Sequence, residues 1–426
     1  MKKWVYIISA LFFIAGCDNN SFKRNIIEPT FCSTQEQNEF VYKYMQNNYL
    51  WYKDMPEIED YRSYESPELL LEKLKNPKDK WSFIIDKKTF DAYFEGDGYI
   101  GYGFKLTFDA NEDLYITLVY PNSPASEANL TRGSKIVKIN GVAVEDIKDF
   151  NTVFGEDKVG VETTLDLEVN GVNKKVTLKK EKVEAPSVLK ADILNIDGLK
   201  VGYLLFDKFI EPSTDELKDA FEKFKKQDID KLIIDLRYNG GGLVNVANDL
   251  VSLILLQEKK KSFTLEFNDK NSYKNDTYYL KKYKSSLDLD EVYFITTHST
   301  CSASEAVINA LAPYGVDAKV VGSKTCGKPV GMSGGEFCNK YIMPIEFKIV
   351  NADGNGDYFG GLSVDCGAKD DIYHDFADTN ESMLKETLYL MQNGVCSKSS
   401  KRARLINKEQ KSMELKGLKE ITGGAF

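Results

Sequence analysis

Strand-like and helix-like segments alternate over residues 187–390, and this alternation constrains the fold more than any other feature. Apolar runs of strand length occur at residues 201–206, 231–236, 292–296 and 319–322, with helix-like segments between them. Strands that alternate with helices in this way form a largely parallel sheet with the helices packed on its faces. The sequence therefore predicts an α/β domain in this part of the chain.

Length and composition limit the classes of protein to which the chain can belong. With 426 residues it is longer than one compact domain, so we expect two or three domains. Apolar residues make up 42% of the chain, which is enough for hydrophobic cores and excludes a wholly disordered protein. The net charge of −9 argues against a general nucleic-acid binder. His298 and His374 are the only histidines, which argues against a histidine-rich zinc site.

Residues 1–17 have the pattern of a lipoprotein signal peptide. Two lysines precede an apolar stretch that is shorter than the ~20 residues needed to span a bilayer. The stretch ends in IAGC at residues 14–17, which resembles a bacterial lipobox in which Cys17 is lipidated. We therefore expect a polar tether over residues 18–28 and a lipid-anchored protein on the periplasmic side of the inner or outer membrane. An ordinary signal peptide that happens to contain a cysteine is the alternative.

The remaining cysteines can form disulfides if the chain works in an oxidising compartment. Without Cys17 there are six of them, an even number that allows fifteen full pairings. No CxxC spacing is present, so the sequence gives no support for a metal site. Proximity in the sequence alone favours Cys326–Cys338 and Cys366–Cys396.

Two smaller units precede the α/β domain. Residues 29–95 are predicted to form a helical module, because Ser33 with Glu36 fits a capping box and Ser66-Pro67 opens a second helix. From Tyr99 the pattern changes to short β-like runs separated by turn signals.

These β-like runs carry a resemblance to a bacterial PDZ domain, which we place at residues 96–186. The similarity lies in SPA at residues 123–125, ANL at 128–130 and GSKIVKING at 133–141. It places the carboxylate-binding loop at Gly101, Tyr102, Gly103 and Phe104. A glycine-flanked loop can direct backbone N–H groups at a terminal carboxylate, and an exposed strand edge can pair with an extended peptide. A PDZ-like spacer that binds nothing is the alternative.

Three segments of the α/β domain contain residues suited to chemistry. The first, DLRYNGGGL at residues 235–243, follows an apolar strand, and its glycines let the backbone approach a reacting group. The second, STCSASEA at residues 299–306, places small hydroxyl side chains at a strand-to-helix turn, a position that exposes a nucleophile. The third, GSKTCGKPVG at residues 322–331, holds a lysine in a glycine-bounded loop.

In this order, the PDZ-like unit and the three segments resemble the C-terminal-processing (tail-specific) serine proteases. That family has a crotonase-like α/β catalytic domain, here residues 187–396, preceded by a PDZ domain, and the resemblance implies no cofactor. It assigns Ser302 as the nucleophile, Lys328 as the general base and Glu305 as the residue that orients the lysine. It also implies an oxyanion hole formed by the N–H groups of Ala303 and Gly241.

Elementary chemistry agrees with these assignments. A serine hydroxyl becomes a good nucleophile when a base takes its proton, and burial can lower the pKa of a lysine enough for that role. Each oxyanion donor stabilises the transition state by ~3 kcal/mol in known hydrolases. Two features depart from the family pattern. Met332 stands where many relatives have glutamine, and Cys301 and Cys326 flank the catalytic pair. The cysteine-bearing C-terminal part resembles a secreted, lipoprotein-like branch of the family.

Other readings of the same residues remain open. His298 lies four residues before Ser302 and could serve a Ser-His enzyme, and Cys301 or Cys326 could be a thiol nucleophile. The GSKTCGK segment imitates a P-loop but has Pro329 in place of the Ser or Thr that binds magnesium. DGNGD at residues 353–357 imitates the start of an EF-hand loop, but Tyr358 and Val364 replace two required residues.

We therefore expect a serine endopeptidase that cleaves envelope proteins near their C termini. Its PDZ domain would select substrates with free, apolar C-terminal tails, and residues 397–426 would form a basic tail. A catalytically inactive PDZ adaptor of the cell envelope, which binds peptides without cleaving them, is the alternative function.

Overall fold

The computed structural model describes residues 32–95, 98–109, 111–169 and 171–400. The lipobox with Cys17, the tether at residues 18–28 and residues 401–426 of the basic tail lie outside the described residues. Within the described part, no helix is both long enough and apolar enough to cross a membrane.

The N-terminal module contains a strand as well as the expected helices. The helices are α1 (Thr34–Asn48), α2 (Pro67–Leu74) and α3 (Lys87–Phe94), and Ser33 forms the capping box with Glu36 as predicted. The strand β1 (Phe83–Asp86) pairs antiparallel with β19 (Lys340–Met343), which in turn pairs with β18 (Gly335–Phe337). The prediction of a purely helical module was wrong, because this short strand is stabilised by a partner more than 250 residues away.

The PDZ-like unit is an antiparallel sheet closed by two short helices. Its strand order is β3-β4-β5-β7-β8, with β6 paired to β5, so β3 lies at an edge. A separate pair, β2 with β9, joins the beginning and end of the unit. The elements are β2 (Tyr99–Gly101), β3 (Phe104–Phe108), β4 (Leu114–Val119), α4 (Pro124–Glu127), β5 (Lys135–Ile139), β6 (Val142–Ala143), α5 (Phe150–Phe154), β7 (Glu162–Val169), β8 (Val172–Lys179) and β9 (Glu181–Val183).

The catalytic part is built on a six-stranded sheet of order β10-β11-β12-β15-β16-β21. Strands β11 to β21 of this sheet are parallel and β10 is antiparallel, so the predicted α/β domain is present. Apolar side chains alternate between its two faces, and helices cover both. Its elements are β10 (Val188–Ile196), β11 (Leu199–Phe206), α6 (Ser213–Gln227), β12 (Lys231–Asp235), α7 (Val244–Ile254), β15 (Glu291–Thr296), α8 (Ala303–Leu311), β16 (Asp317–Gly322), β21 (Cys366–Gly367) and α9 (Ser382–Asn393).

A further antiparallel sheet, of order β14-β13-β20-β17, lies beside the catalytic loops. Its strands are β13 (Lys261–Phe267), β14 (Asp276–Tyr279), β17 (Val330–Gly331) and β20 (Phe347–Asn351). Because β17 begins two residues after Lys328, this sheet fixes the far end of the loop that carries the lysine.

The disulfide pairing corrects part of the expectation. Cys366 pairs with Cys396 as predicted, but the predicted Cys326–Cys338 bond is wrong. Cys338 pairs instead with Cys32, and Cys326 pairs with Cys301. Sequence proximity failed here because the fold brings Cys32 next to a cysteine 306 residues away, where the N-terminal module packs on the β18–β19 hairpin.

Candidate active site

The three motif segments meet because they follow adjacent strands of the parallel sheet. Strands β12, β15 and β16 are neighbours, and each motif begins where one of them ends. The carboxyl ends of parallel strands share one edge of a sheet, so the loops that follow them form one surface. This placement brings Ser302 and Lys328 into one site, although 26 residues separate them in the sequence.

Ser302 immediately precedes helix α8 in a strained conformation. Its φ is 55°, a value that is uncommon for a residue other than glycine and that often marks a functional site. Gly241 packs directly against it, since a methyl group at Gly241 would lie 2.9 Å from Ser302 Cβ and 2.8 Å from the Ala303 nitrogen. Only glycine fits this close approach, at a φ of 100°.

Glu305 is fully buried and holds the backbone of both catalytic segments. Its Oε1 accepts hydrogen bonds from the Thr325 hydroxyl and from the Gly327 N–H, the latter at 2.8 Å. Its Oε2 accepts the N–H groups of Ser302 and Lys328, at 3.0 and 2.8 Å. Burial raises the pKa of Glu305, although these hydrogen bonds oppose the shift. The structure therefore places Glu305 on the backbone of Lys328 rather than on its amine.

Lys328 is buried, and burial lowers its pKa to about 8. The negative charges of Asp79 and Glu305 act in the opposite direction and limit the fall of the pKa. Among the described residues, no hydrogen bond involves the Lys328 amine. A lysine with a pKa near 8 has a substantial neutral fraction at slightly alkaline pH, which a general base requires.

The predicted oxyanion donors lie side by side, but only one N–H is free of a partner within the loop. The Ala303 N–H is at the first position of α8, where no intrahelical acceptor exists. The Gly241 N–H instead donates to Oδ1 of Asn239 at 2.9 Å. Asn239 also accepts the Cys301 N–H and the Ser304 hydroxyl at its carbonyl oxygen. Gly241 would have to exchange this bond to serve as an oxyanion donor.

A buried ionic network lies behind the glycine loop and was not predicted from the sequence. Arg237 is fully buried and pairs with Asp235 at 2.7 Å, and with Glu381 and Asp370 at 3.0 Å. Arg132 of the PDZ-like unit also pairs with Asp370, at 2.5 Å. The DLR sequence indicates a buried arginine only in retrospect, because its partners come from distant segments.

The same network connects the PDZ-like unit to the loop that carries Gly241. Besides Asp370, the Arg132 guanidinium donates to the Tyr238 hydroxyl at 2.7 Å and to the His374 carbonyl at 3.1 Å. Tyr238 precedes Asn239, which holds the Gly241 N–H. One side chain of the PDZ-like unit thus contacts the segment that shapes the oxyanion region.

The predicted carboxylate loop of the PDZ-like unit, residues 101–104, offers only backbone groups. Tyr102 and Phe104 are buried in the core of the unit. The Tyr102 hydroxyl donates to the Phe154 carbonyl of α5 at 3.2 Å, and Gly103 has a φ of 87°. The carbonyls of Tyr102 and Gly103 accept N–H groups from the chain that follows β4. Strand β3, which begins at Phe104, lies at the sheet edge where a peptide strand could be added.

The residues behind the other readings have different surroundings. His298 is exposed, and both cysteines beside the catalytic pair are in the Cys301–Cys326 disulfide. The N–H groups of Gly327 and Lys328, which would bind a phosphate in a P-loop, donate to Glu305. Two groups of possible metal ligands occur in the described residues. Each combines a glutamate with two disulfide-bonded cysteines, which lack the thiolates that bind metals.

Comparison with family models covers most of the described chain. A model described as peptidase family S41 matches residues 200–355, one for the peptidase S41 N-terminal domain matches residues 36–83, and a PDZ domain model matches residues 98–179. The chain belongs to peptidase family S41. The family resemblance drawn from the sequence is therefore confirmed, and this S41 protein is a serine peptidase with a PDZ domain.

Known proteins similar to this S41 peptidase carry the same description. A probable CtpA-like serine protease of Staphylococcus aureus (strain bovine RF122 / ET3-1) is 27% identical over 380 residues, which cover 86% of this chain and 72% of that protein. One from Staphylococcus epidermidis is 27% identical over 330 residues, covering 77% and 64%.

Two solved structures share the fold of the S41 peptidase. The crystal structure of a putative S41 protease from Bacteroides fragilis has a TM-score of 0.68 and 26% identity, covering 83% of this chain and 97% of that one. The photosystem II D1 C-terminal processing protease has a TM-score of 0.52 and 19% identity, covering 80% and 94%, and supports the fold alone. The predicted architecture of an α/β catalytic domain, a PDZ domain and an N-terminal module is confirmed.

Proposed function

We propose that this S41 peptidase hydrolyses peptide bonds near the C termini of cell-envelope proteins, with Ser302 as nucleophile and Lys328 as general base. The observation that carries the proposal is the shared contact of both residues with Oε2 of Glu305. The lowered pKa of Lys328, about 8, supports its role as a base.

In the proposed reaction, the neutral Lys328 amine takes the proton of the Ser302 hydroxyl as its oxygen attacks the scissile carbonyl. The tetrahedral oxyanion is stabilised by the Ala303 N–H and by a glycine N–H of residues 240–242. The Lys328 ammonium then protonates the leaving amine, and an acyl-enzyme remains on Ser302. Water, deprotonated by Lys328, hydrolyses the acyl-enzyme and restores the free serine.

The test compares wild type with Ser302→Ala and Lys328→Met on an unfolded protein with an apolar C terminus. Both variants should lose cleavage, and Ser299→Ala is the matched control, because Ser299 is an exposed serine of the same loop. Mass spectrometry of the products locates the cleaved bonds. Full activity of Ser302→Ala would overturn the proposed nucleophile. If wild type binds tails but cleaves nothing, the protein is the inactive adaptor.

We also propose that the PDZ domain selects free C-terminal tails by adding them to the edge of β3. Support comes from the edge position of β3 and from the positive φ of Gly103 next to it. Because the inactive Ser302→Ala variant cannot degrade the ligand, it should be used to compare a peptide acid with its C-terminal amide. The amide should bind at least tenfold more weakly. Equal affinities would exclude carboxylate recognition.

We propose a lipid anchor on Cys17 and a location in the cell envelope, on the periplasmic side of the inner or outer membrane. The IAGC run at residues 14–17 supports this placement. In membrane fractionation, wild type should sediment with membranes, whereas Cys17→Ala should lose the lipid and the attachment. A variant with residue 2 or 3 changed from lysine to arginine keeps the positive charge and serves as control. Equal membrane association of wild type and Cys17→Ala would contradict the anchor.

A further inference from the structure

The hydroxyl of Tyr358 is buried and has no hydrogen-bond partner among the described residues. A buried O–H group normally finds a partner, because leaving it unpaired costs free energy. Tyr358 lies in the long loop between β20 and β21, outside all three motif segments. An unpaired hydroxyl of this kind suggests a partner that is engaged only in part of a reaction cycle.

The loop that carries Tyr358 lies along helix α8 on the face that bears Glu305. Asn309 of α8 donates to the Asn355 carbonyl at 2.8 Å, three residues before Tyr358. Because Asn309 is four residues after Glu305, both side chains project from the same face of the helix. The chain therefore reaches Tyr358 one helical turn closer to the catalytic end of α8.

The residues that follow Tyr358 pack on the loop of the catalytic lysine. A methyl group at Gly327 would lie 2.4 Å from the Phe359 carbonyl oxygen, so the two backbones are in direct contact. The Leu362 N–H donates to the Thr325 hydroxyl at 2.7 Å. Tyr358 is thus held between α8 on one side and residues 325–328 on the other. The negative charge of Glu305, together with burial, raises the pKa of the Tyr358 phenol, which keeps its proton.

The catalytic carboxylate cannot serve as the partner of either the lysine amine or the tyrosine. A carboxylate accepts about four hydrogen bonds, and Glu305 already accepts four, from Thr325, Gly327, Ser302 and Lys328. Met332 offers only a thioether, which is a weak acceptor. The Lys328 amine therefore needs another acceptor to fix the direction of its lone pair.

We propose that Tyr358 is a positioning residue for the general base, its hydroxyl oxygen accepting an N–H of the Lys328 amine. This contact turns the nitrogen lone pair towards Ser302 and satisfies one N–H of the ammonium after proton transfer. The inference rests on the proposed role of Lys328. Glu305 and Asp79 are the carboxylates whose charges also act on this amine.

The test is Tyr358→Phe, which removes the hydroxyl and keeps the ring. We expect kcat to fall about 10- to 100-fold, the usual effect of losing a hydrogen bond to a charged group. The acidic limb of the pH profile should move to lower pH, since the buried ammonium loses an acceptor. The melting temperature should stay equal or rise, because the hydroxyl has no partner in the free protein.

Tyr314→Phe is the matched control. The Tyr314 hydroxyl donates to the Lys261 carbonyl away from the site, so its loss should lower stability and leave the pH profile unchanged. If Tyr358→Phe keeps wild-type kcat and pH profile while Lys328→Met is inactive, the positioning role is wrong and the proposed function stands. If Lys328→Met is itself active, the general base is wrong, and the role of Tyr358 falls with it.

Discussion

Ser302 and Lys328 donate their backbone N–H groups to the same oxygen atom, Oε2 of Glu305, at 3.0 and 2.8 Å. Their nitrogen atoms therefore lie within about 6 Å of each other. Glu305 sits on the first turn of α8, so the helix that follows the nucleophile also holds the segment of the base. The spacing between nucleophile and base thus depends on a single buried carboxylate.

Replacing Glu305 with Gln should disrupt this arrangement, because an amide nitrogen cannot accept the N–H groups that the lost oxygen held. We expect kcat/KM to fall at least 100-fold and unfolding free energy to fall by about 2 kcal/mol, measured by peptide cleavage and urea unfolding. Glu386→Gln is the control, since Glu386 is another buried acceptor of a backbone N–H, from Ser397. It should lose stability without a specific loss of activity. Equal activity losses in both variants would argue against the role of Glu305.

Activity should rise with pH through the pKa of Lys328, which is about 8. Below that value the amine is protonated, so kcat/KM should drop about tenfold for each pH unit, and above it the rate should level off. Lys328→Arg should be inactive at every pH tested, because a guanidinium keeps its proton. Initial rates between pH 6 and pH 10 measure the profile. A flat profile, or turnover by Lys328→Arg, would point to a different base.

The Cys301–Cys326 disulfide should matter for activity as well as for stability, because Cys301 adjoins Ser302 and Cys326 lies two residues before Lys328. The double Cys→Ser change should cost about 3 kcal/mol of stability and also lower kcat. The Cys366–Cys396 pair is a matched control, with a separation of 30 residues against 25. Its removal should cost similar stability in urea unfolding and leave kcat unchanged. Unchanged kcat in both double variants would show that the first bond is only structural.

Arg132→Met should uncouple the PDZ domain from the glycine loop, because Arg132 pairs with Asp370 and donates to Tyr238. Breaking a buried ion pair costs about 3 kcal/mol, so we expect lower stability together with lower kcat/KM. Lys135→Met is the control, because its ion pair with Asp113 stays within the PDZ domain and is partly exposed. Thermal unfolding and peptide cleavage measure both effects. Wild-type activity in folded Arg132→Met would show that this contact does not support catalysis.

The sequence by itself determined the local elements and the identity of the reactive groups. Apolar runs marked the parallel strands, the capping box at Ser33 marked the start of α1, and Ser302 and Lys328 stood in recognisable motifs. These features depend on neighbours a few residues apart, such as hydrophobic periodicity, helix caps and glycine turns. Local chemistry of this kind can be read without knowing which distant segments meet.

Only the tertiary structure decided the contacts between distant segments. It paired β1 with β19 and Cys32 with Cys338, and it placed Arg132 of one domain beside Asp370 of another. It also filled every acceptor site of Glu305 and left the Tyr358 hydroxyl unpaired beside the catalytic lysine. Such contacts follow from strand order and from the packing of loops at one sheet edge. No local pattern encodes them, because their partners lie tens to hundreds of residues away.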